Sequence, residues 1–179
     1  MMTAARMADR LSRGPLAPEV FRRTLLDVPS DRRDGWVDRV FGIDGLPADG
    51  PDLPQGCVPY LPSDVHTLLR MIEAVGVGPD DVFVDIGAGI GRAATLVHCL
   101  TGARVVAVEV QSTLAARARD LAARVAPQGV DVFEADARRL AGPMARGTVF
   151  FLYCPFSGAQ LDPLLADLAR IAGGRTIRL

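Results

Sequence analysis

The run Asp85-Ile86-Gly87-Ala88-Gly89-Ile90-Gly91 stands between an apolar stretch and a helix-forming one. In that arrangement backbone N–H groups and the positive end of a helix meet a ligand at close range, and glycine permits the approach. Two acidic positions follow at the ends of the next two apolar runs: Glu109, and then Asp136 within Glu134-Ala135-Asp136-Ala137. A carboxylate at the end of a second strand can take both hydroxyls of a ribose in a bidentate contact. A dinucleotide fingerprint would place its third glycine at position 92, but the chain has Arg92 there, so a nicotinamide cofactor is disfavoured. Taken singly, Asp85 reads equally as a strand-end carboxylate capping nearby N–H groups, and Glu109 and Asp136 as surface acids. Their order and placement at strand ends favour a bound cofactor.

Chemistry is expected after the fourth apolar run, at Tyr153-Cys154-Pro155-Phe156, because ligands of open α/β sheets gather at the carboxyl ends of the strands. His66, His98, Tyr153 and Asp162 are the candidate bases; His98 falls inside a helix and reads as structural, and His66 as solvent-exposed. Cys57, Cys99 and Cys154 lie far apart with no Cys-x-x-Cys pair, which argues against a zinc site and against a disulfide framework. No metal is expected. Cys154 reads as a small buried hydrophobe, since nothing near it in sequence lowers a thiol pKa.

The elements that must position these residues are legible from periodicity. Ser63 is the expected N-cap of an amphipathic helix on which Leu68, Leu69, Ile72 and Val75 share a face, ending at Gly76-Val77-Gly78-Pro79. Strands are expected at 82–86, 104–109, 130–134, 148–153 and 175–179, with helices at 91–100, 112–125 and 159–171. Strands this apolar, alternating with helices, belong to a parallel sheet covered on both faces. Residues 1–62 hold 8 of the 13 prolines, and the stretch 46–56 cannot continue a helix or a central strand. Short helices are expected at 18–26 and 31–41, the second capped by Ser30 and burying Trp36, Val37, Val40 and Phe41. The domain division is therefore a helical, Pro-rich N-terminal extension or lid over residues 1–59 and a cofactor-binding domain over 60–179.

With 179 residues and 49% hydrophobic content the chain is the size of one ordinary domain and needs no disulfide or metal to fold. No apolar run is long enough to span a bilayer, and the first 15 residues, with Arg6, Asp9, Arg10 and Arg13, do not read as a secretory signal. A cytoplasmic protein is expected. The 20 basic residues, all arginine, against 21 acidic ones give a net charge of −1 and no strong nucleic-acid signal.

The glycine spacing, with an acid two residues before Gly87, resembles motif I of the class I S-adenosylmethionine (SAM)-dependent methyltransferases, and the resemblance runs from about Tyr60 to Leu179. It implies a Rossmann-like, doubly wound, mostly parallel sheet, SAM as cofactor and S-adenosylhomocysteine as its product. By the same resemblance Asp85 sits near the amino group of the methionine moiety, and Gly87, Ala88, Gly89 and Gly91 pass under it. Glu109 with Val110 meets the ribose, and Asp136 accepts from the adenine amine, with Ala135 or Ala137 packing on the ring. Within the family, Tyr60-Leu61-Pro62-Ser63 and the stretches 83–92 and 108–111 are most similar to protein-lysine methyltransferases of the Dot1-like group, which makes Tyr60 and Ser63 candidate cofactor contacts. Tyr153-Cys154-Pro155-Phe156 resembles the family's (Asn/Asp)-Pro-Pro-(Tyr/Phe) tetrapeptide, implying catalytic positions at Tyr153 and Phe156, the latter stacking on the acceptor. The amide or carboxylate of the first position is missing here.

The expected activity is methyl transfer to a protein side chain or a small molecule; the alternative is a non-catalytic SAM-binding or interaction domain, and a third reading is a nucleotide-binding oxidoreductase. The family's sheet has seven strands, whereas the sequence given stops within the fifth. An apolar edge left open there points to a truncated chain lacking the terminal hairpin, an incomplete gene product, or a homodimer that covers the edge.

Overall fold

The computed structural model describes residues 2–48, 53, 55–138, 142–153, 155–156 and 158–179. Three helices lead in: α1 (Ala4–Ser12), α2 (Pro18–Leu26) and α3 (Arg33–Phe41). They are followed by α4 (Val65–Val75), β1 (Val82–Ile86), α5 (Arg92–Thr101), β2 (Arg104–Glu109), α6 (Ser112–Val125), β3 (Val130–Glu134), β4 (Val149–Leu152) and α7 (Asp162–Ala172). Among the described residues the four strands make one parallel sheet in the order β3-β2-β1-β4. The order reverses between β1 and β4, so the crevice outside their carboxyl ends is the switch point at which such sheets bind ligands. The register brings Ile86 level with Val108 and Leu152, and Glu109 level with Glu134, so the acids predicted from sequence stand along one edge.

Alternation along the strands divides the core. Phe83, Val105 and Ala107 join α4, α5 and the lead-in helices in one cluster. Val84, Ile86, Val106, Val108 and Phe150 pack against Leu164, Leu168 and Ile171 of α7 in another. The first is the thicker because α1–α3 lie on α5 and α6, with Phe21 edge-on to Trp36 at 5.8 Å and stacked near Phe41 at 6.4 Å. Trp36, Val37, Val40 and Phe41 are buried, as expected of that helix face.

Several boundaries differ from the sequence expectations. Helix α1, whose Ala4, Met7 and Leu11 are buried on one side, was not anticipated. Ser30 does not cap a helix from residue 31; residues Ser30–Arg32 form a single tight turn, and α3 starts at Arg33, whose guanidinium donates to the carbonyls of Val28 and Leu26. Asp64, not Ser63, caps α4, accepting from the Thr67 N–H at 2.7 Å. Helix α7 begins at Asp162 rather than at 159 because Pro163 is tolerated only in a first turn. The fifth strand is reduced to one parallel bridge, Val149 with Arg178. The Arg178 side chain is held at the start of the sheet by Asp81 and by the carbonyls of Val75 and Gly76, and Arg175 donates to the Ala145 carbonyl, so side chains rather than a ladder fix this segment. No helix among the described residues is long and apolar enough to cross a membrane.

Candidate functional site

β1 delivers the chain into a loop tied to its neighbour by the N–H groups of Gly87 and Ala88, both donating to the Val108 carbonyl. Gly89 and Gly91 adopt φ of +56° and +76°, which side chains rarely adopt, and each is also crowded. A Cβ on Gly91 would lie 3.0 Å from the Ala118 Cβ, so this glycine lets α6 approach the loop. A Cβ on Gly89 would collide with the Tyr60 ring.

Glu109, 5% exposed, closes the loop from β2: one oxygen accepts from the Gly89 N–H and the other from the Gln111 N–H, both at 2.8 Å. Each oxygen keeps a further acceptor direction. Asp85 is 3% exposed; the Ala94 N–H donates to its carboxylate, while Oδ2 has no partner. Burial pushes its pKa up to about 7, against the lowering effect of the Ala94 N–H and with a smaller upward push from Glu109. A buried acceptor without a donor is costly, and it fits the amino group of an amino-acid-like ligand, which would supply both a donor and the opposite charge.

Residues 55–64, leading into α4, cross the mouth of the cleft as a strap. The Val58 N–H donates to the Pro155 carbonyl at 3.3 Å, Cys57 bridges antiparallel to Phe156, and Tyr60 lies on Gly89. Burial raises the Tyr60 hydroxyl to about 12. Under the strap is a narrow cleft of about 50 Å³ lined by Tyr60, Gly87, Glu109, Val110, Ala137, Tyr153 and Phe156. A smaller space of about 20 Å³ beside it is lined by Tyr60, Asp85, Gly87 and Ala88.

The structure thus brings the sequence-predicted residues together except at two places. Asp136 is exposed and held by its neighbour but one: its carboxylate accepts from the Arg138 N–H and pairs with the Arg138 guanidinium, while Ala135 and Ala137 on either side line the cleft. Gly91 lies behind the loop against α6. Cys154 lies outside the described residues. Tyr153 stacks on Phe151 at 6.3 Å, nearly parallel. Of the other candidate bases, His66 and Asp162 are exposed, and His98 shares a hydrogen bond with the Ala103 carbonyl at 2.8 Å and packs on Gly129, beside a cavity of about 600 Å³ at the amino ends of β2 and β3, away from the carboxyl ends of the strands.

Sequence reasoning missed the environment of Arg92. This side chain, 5% exposed at the first position of α5, pairs with Asp38 at 2.6 Å and Asp34 at 2.9 Å and donates to the Ser63 carbonyl at 2.8 Å. Burial alone would lower its pKa, but the two aspartates hold it above the ordinary value. Asp34 and Asp38, one helical turn apart, were the available signal.

No family model matches the chain. Its curated relatives are methyltransferases. A protein-L-isoaspartate O-methyltransferase from Methylorubrum populi is 34% identical over 132 residues, covering 73% of this chain and 59% of that protein. A ribosomal RNA small subunit methyltransferase A from Rhodococcus erythropolis is 39% identical over 80 residues, 43% of this chain and 26% of that protein. The chain thus spans less than two thirds of either relative. Among solved structures, a precorrin-6y C5,15-methyltransferase from Geobacter metallireducens superimposes with a TM-score of 0.52 at 19% identity, over 69% of this chain and 61% of that one. Fold and relatives define the class: the chain has the Rossmann-like fold of the class I SAM-dependent methyltransferases and is related to them in sequence. One expectation is corrected. The even charge balance does not speak against nucleic acid, because the Rhodococcus relative is a ribosomal RNA methyltransferase.

Proposed function

We propose that the chain binds SAM at the carboxyl ends of β1 and β2 and transfers its methyl group to an acceptor seated beyond β4. The observation that carries this reading is the unpartnered Asp85 Oδ2, buried beside the glycine loop that Glu109 closes. In it residues 60–179 hold the cofactor, residues 1–59 form a helical extension or lid, and the protein works in the cytoplasm. Asp85 takes the amino group, the loop from Gly87 to Gly89 carries the methionine portion, and Glu109 with Val110 receives the ribose. Ala135 and Ala137 flank the ring.

The bound cofactor would supply an activated methyl on a sulfonium whose leaving group departs neutral, so alignment matters more than acid chemistry. Phe156 and Tyr153, at the end of β4, orient the acceptor and exclude water from its line of approach. The acceptor is a protein side chain, a small molecule or, by analogy with the Rhodococcus relative, RNA. A second copy of the chain pairing along the outer edge of β4, where Arg178 makes a single bridge, completes the reading and is checked by sedimentation.

Calorimetric titration with SAM, S-adenosylhomocysteine and NAD, repeated on Asp85→Ala, tests the reading. Saturable binding of the first two, weakened roughly tenfold or more by the substitution, is the expected result. Binding of NAD alone would turn the reading to an oxidoreductase, and binding of none would overturn it. A second reading, a SAM-binding domain without catalysis, is favoured by Tyr153 at a position where an acceptor-binding amide or carboxylate is expected. Cofactor binding with no methyl transfer to any component of a cell extract would select it.

A further inference from the structure

A guanidinium at the first position of a helix faces the positive end of the dipole, and burying it costs solvation as well. Arg92 does both, and its three partner residues lie far away in sequence: Asp34 and Asp38 of α3 and, through its carbonyl, Ser63 at the end of the strap. Asp34 also accepts from the Val65 N–H at 3.0 Å, so α3, the strap and the start of α4 meet at one cation. The Ser63 end of the strap is held by the ion pairs around the buried Arg92, and further along it Val58 donates to the Pro155 carbonyl at 3.3 Å and Cys57 bridges to Phe156.

Tyr60 lies between these contacts and separates two spaces. On one side is the cleft, with only about 50 Å³ free, whereas a ligand of cofactor size needs roughly 300 Å³ or more. On the other is a cavity of about 300 Å³ bordered by Tyr60, Ile43, Asp34, Asp38 and Arg92. The ring thus stands where the cofactor must pass, next to a space large enough to receive it.

We propose that Arg92 is a positioning residue for the cofactor cleft: clamped by Asp34 and Asp38, it fixes the hinge of the strap on which Tyr60 moves between Gly89 and the adjoining cavity. The proposal rests on the SAM reading above. The Ser63 end stays tied to α3, which thereby governs how long the cofactor is held.

Hydrogen exchange of the Val58, Tyr60, Leu61 and Ser63 amides, together with association and dissociation rates of S-adenosylhomocysteine, tests it on the wild type, Arg92→Met and Arg92→Lys. Arg92→Met is expected to speed exchange in the strap and dissociation of the ligand by roughly tenfold or more, with amides of β1 and β2 unchanged and association no slower. Arg92→Lys, which keeps the charge but not the fork of donors, falls between. Exchange rising equally in the strap and the sheet, or dissociation unchanged, would overturn the proposal in favour of a merely structural ion cluster. Should Arg92→Met fail to fold, Asp38→Asn removes one contact and carries the same expectation at smaller size. Strap exchange rising selectively in a chain whose wild type binds no S-adenosylhomocysteine would sustain the hinge and overturn the cofactor reading.

Discussion

At the β1–β2 end of the cleft, Asp85 and Glu109 are buried and every carboxylate oxygen except Asp85 Oδ2 is met by a backbone N–H. At the β3–β4 end, Asp136 is exposed and occupied by Arg138, and Tyr153 and Phe156 are half-buried on loops. The first end is set by the ladder and the strand-to-helix turn, which leave side chains little choice. The second depends on connections that the sheet does not dictate. In the proposed reading, a cofactor common to many enzymes is met by the rigid end, and an acceptor that differs among them by the adaptable one.

The largest effect should come from Asp85. Its carboxyl titrates near 7 in the folded chain against 3.8 for an exposed one, so between those values the native state binds more protons than the unfolded chain. Stability therefore falls as pH rises from about 4 to about 7 and is level above, by on the order of 4 kcal/mol in all. Asp85→Asn should flatten that slope in urea unfolding at pH 5 and pH 8. SAM affinity of the wild type should rise over the same window, as the carboxylate ionises to meet a cationic amino group. A slope that survives in Asp85→Asn would show that the rigid end is not the source.

Glu109→Ala strips two buried N–H groups of their acceptor, at a cost of about 2–4 kcal/mol in unfolding free energy, and should abolish measurable SAM binding in calorimetry. Gly89→Ala is next. It forces an L side chain into a positive φ and pushes the Tyr60 ring off the loop, for about 1–3 kcal/mol, again read by urea unfolding. Combining it with Tyr60→Ala should recover the steric part and leave the backbone part. If the double variant is no better than the single one, the crowding between strap and loop is not what limits that position.

The contrast between the two ends also explains what the sequence disclosed. Strands β1, β2 and β3 and helix α6 fall on their expected residues because continuous apolar runs punctuated by Gly and Pro encode them locally. Asp85, the glycine loop and Glu109 were legible for the same reason, each being fixed to a strand end. The loop motif reports a cofactor and not an acceptor, so it carries little about subgroup. Arg92 registered only as a residue spoiling a dinucleotide fingerprint, since its partners lie 54 and 58 positions away and no local pattern announces them. The N-cap of α4 fell to Asp64 rather than to adjacent Ser63, a choice that helix geometry makes and residue type does not.

Asp136 gives the smallest expected effect and the sharpest discrimination between the two ends. Its ion pair with Arg138 is exposed, and pairs of that kind contribute little to folding, so Asp136→Ala should leave the unfolding midpoint unchanged. For the cofactor the outcomes diverge. If the adenine amine displaces Arg138 on binding, the substitution should weaken SAM roughly three- to tenfold, and Arg138→Ala, by removing that competitor, should strengthen it. If Ala135 and Ala137 alone shape the adenine end, both substitutions should leave the affinity within about twofold. The pair of titrations therefore decides whether the adenine end is recognised by charge and hydrogen bonding or by the apolar walls of the cleft.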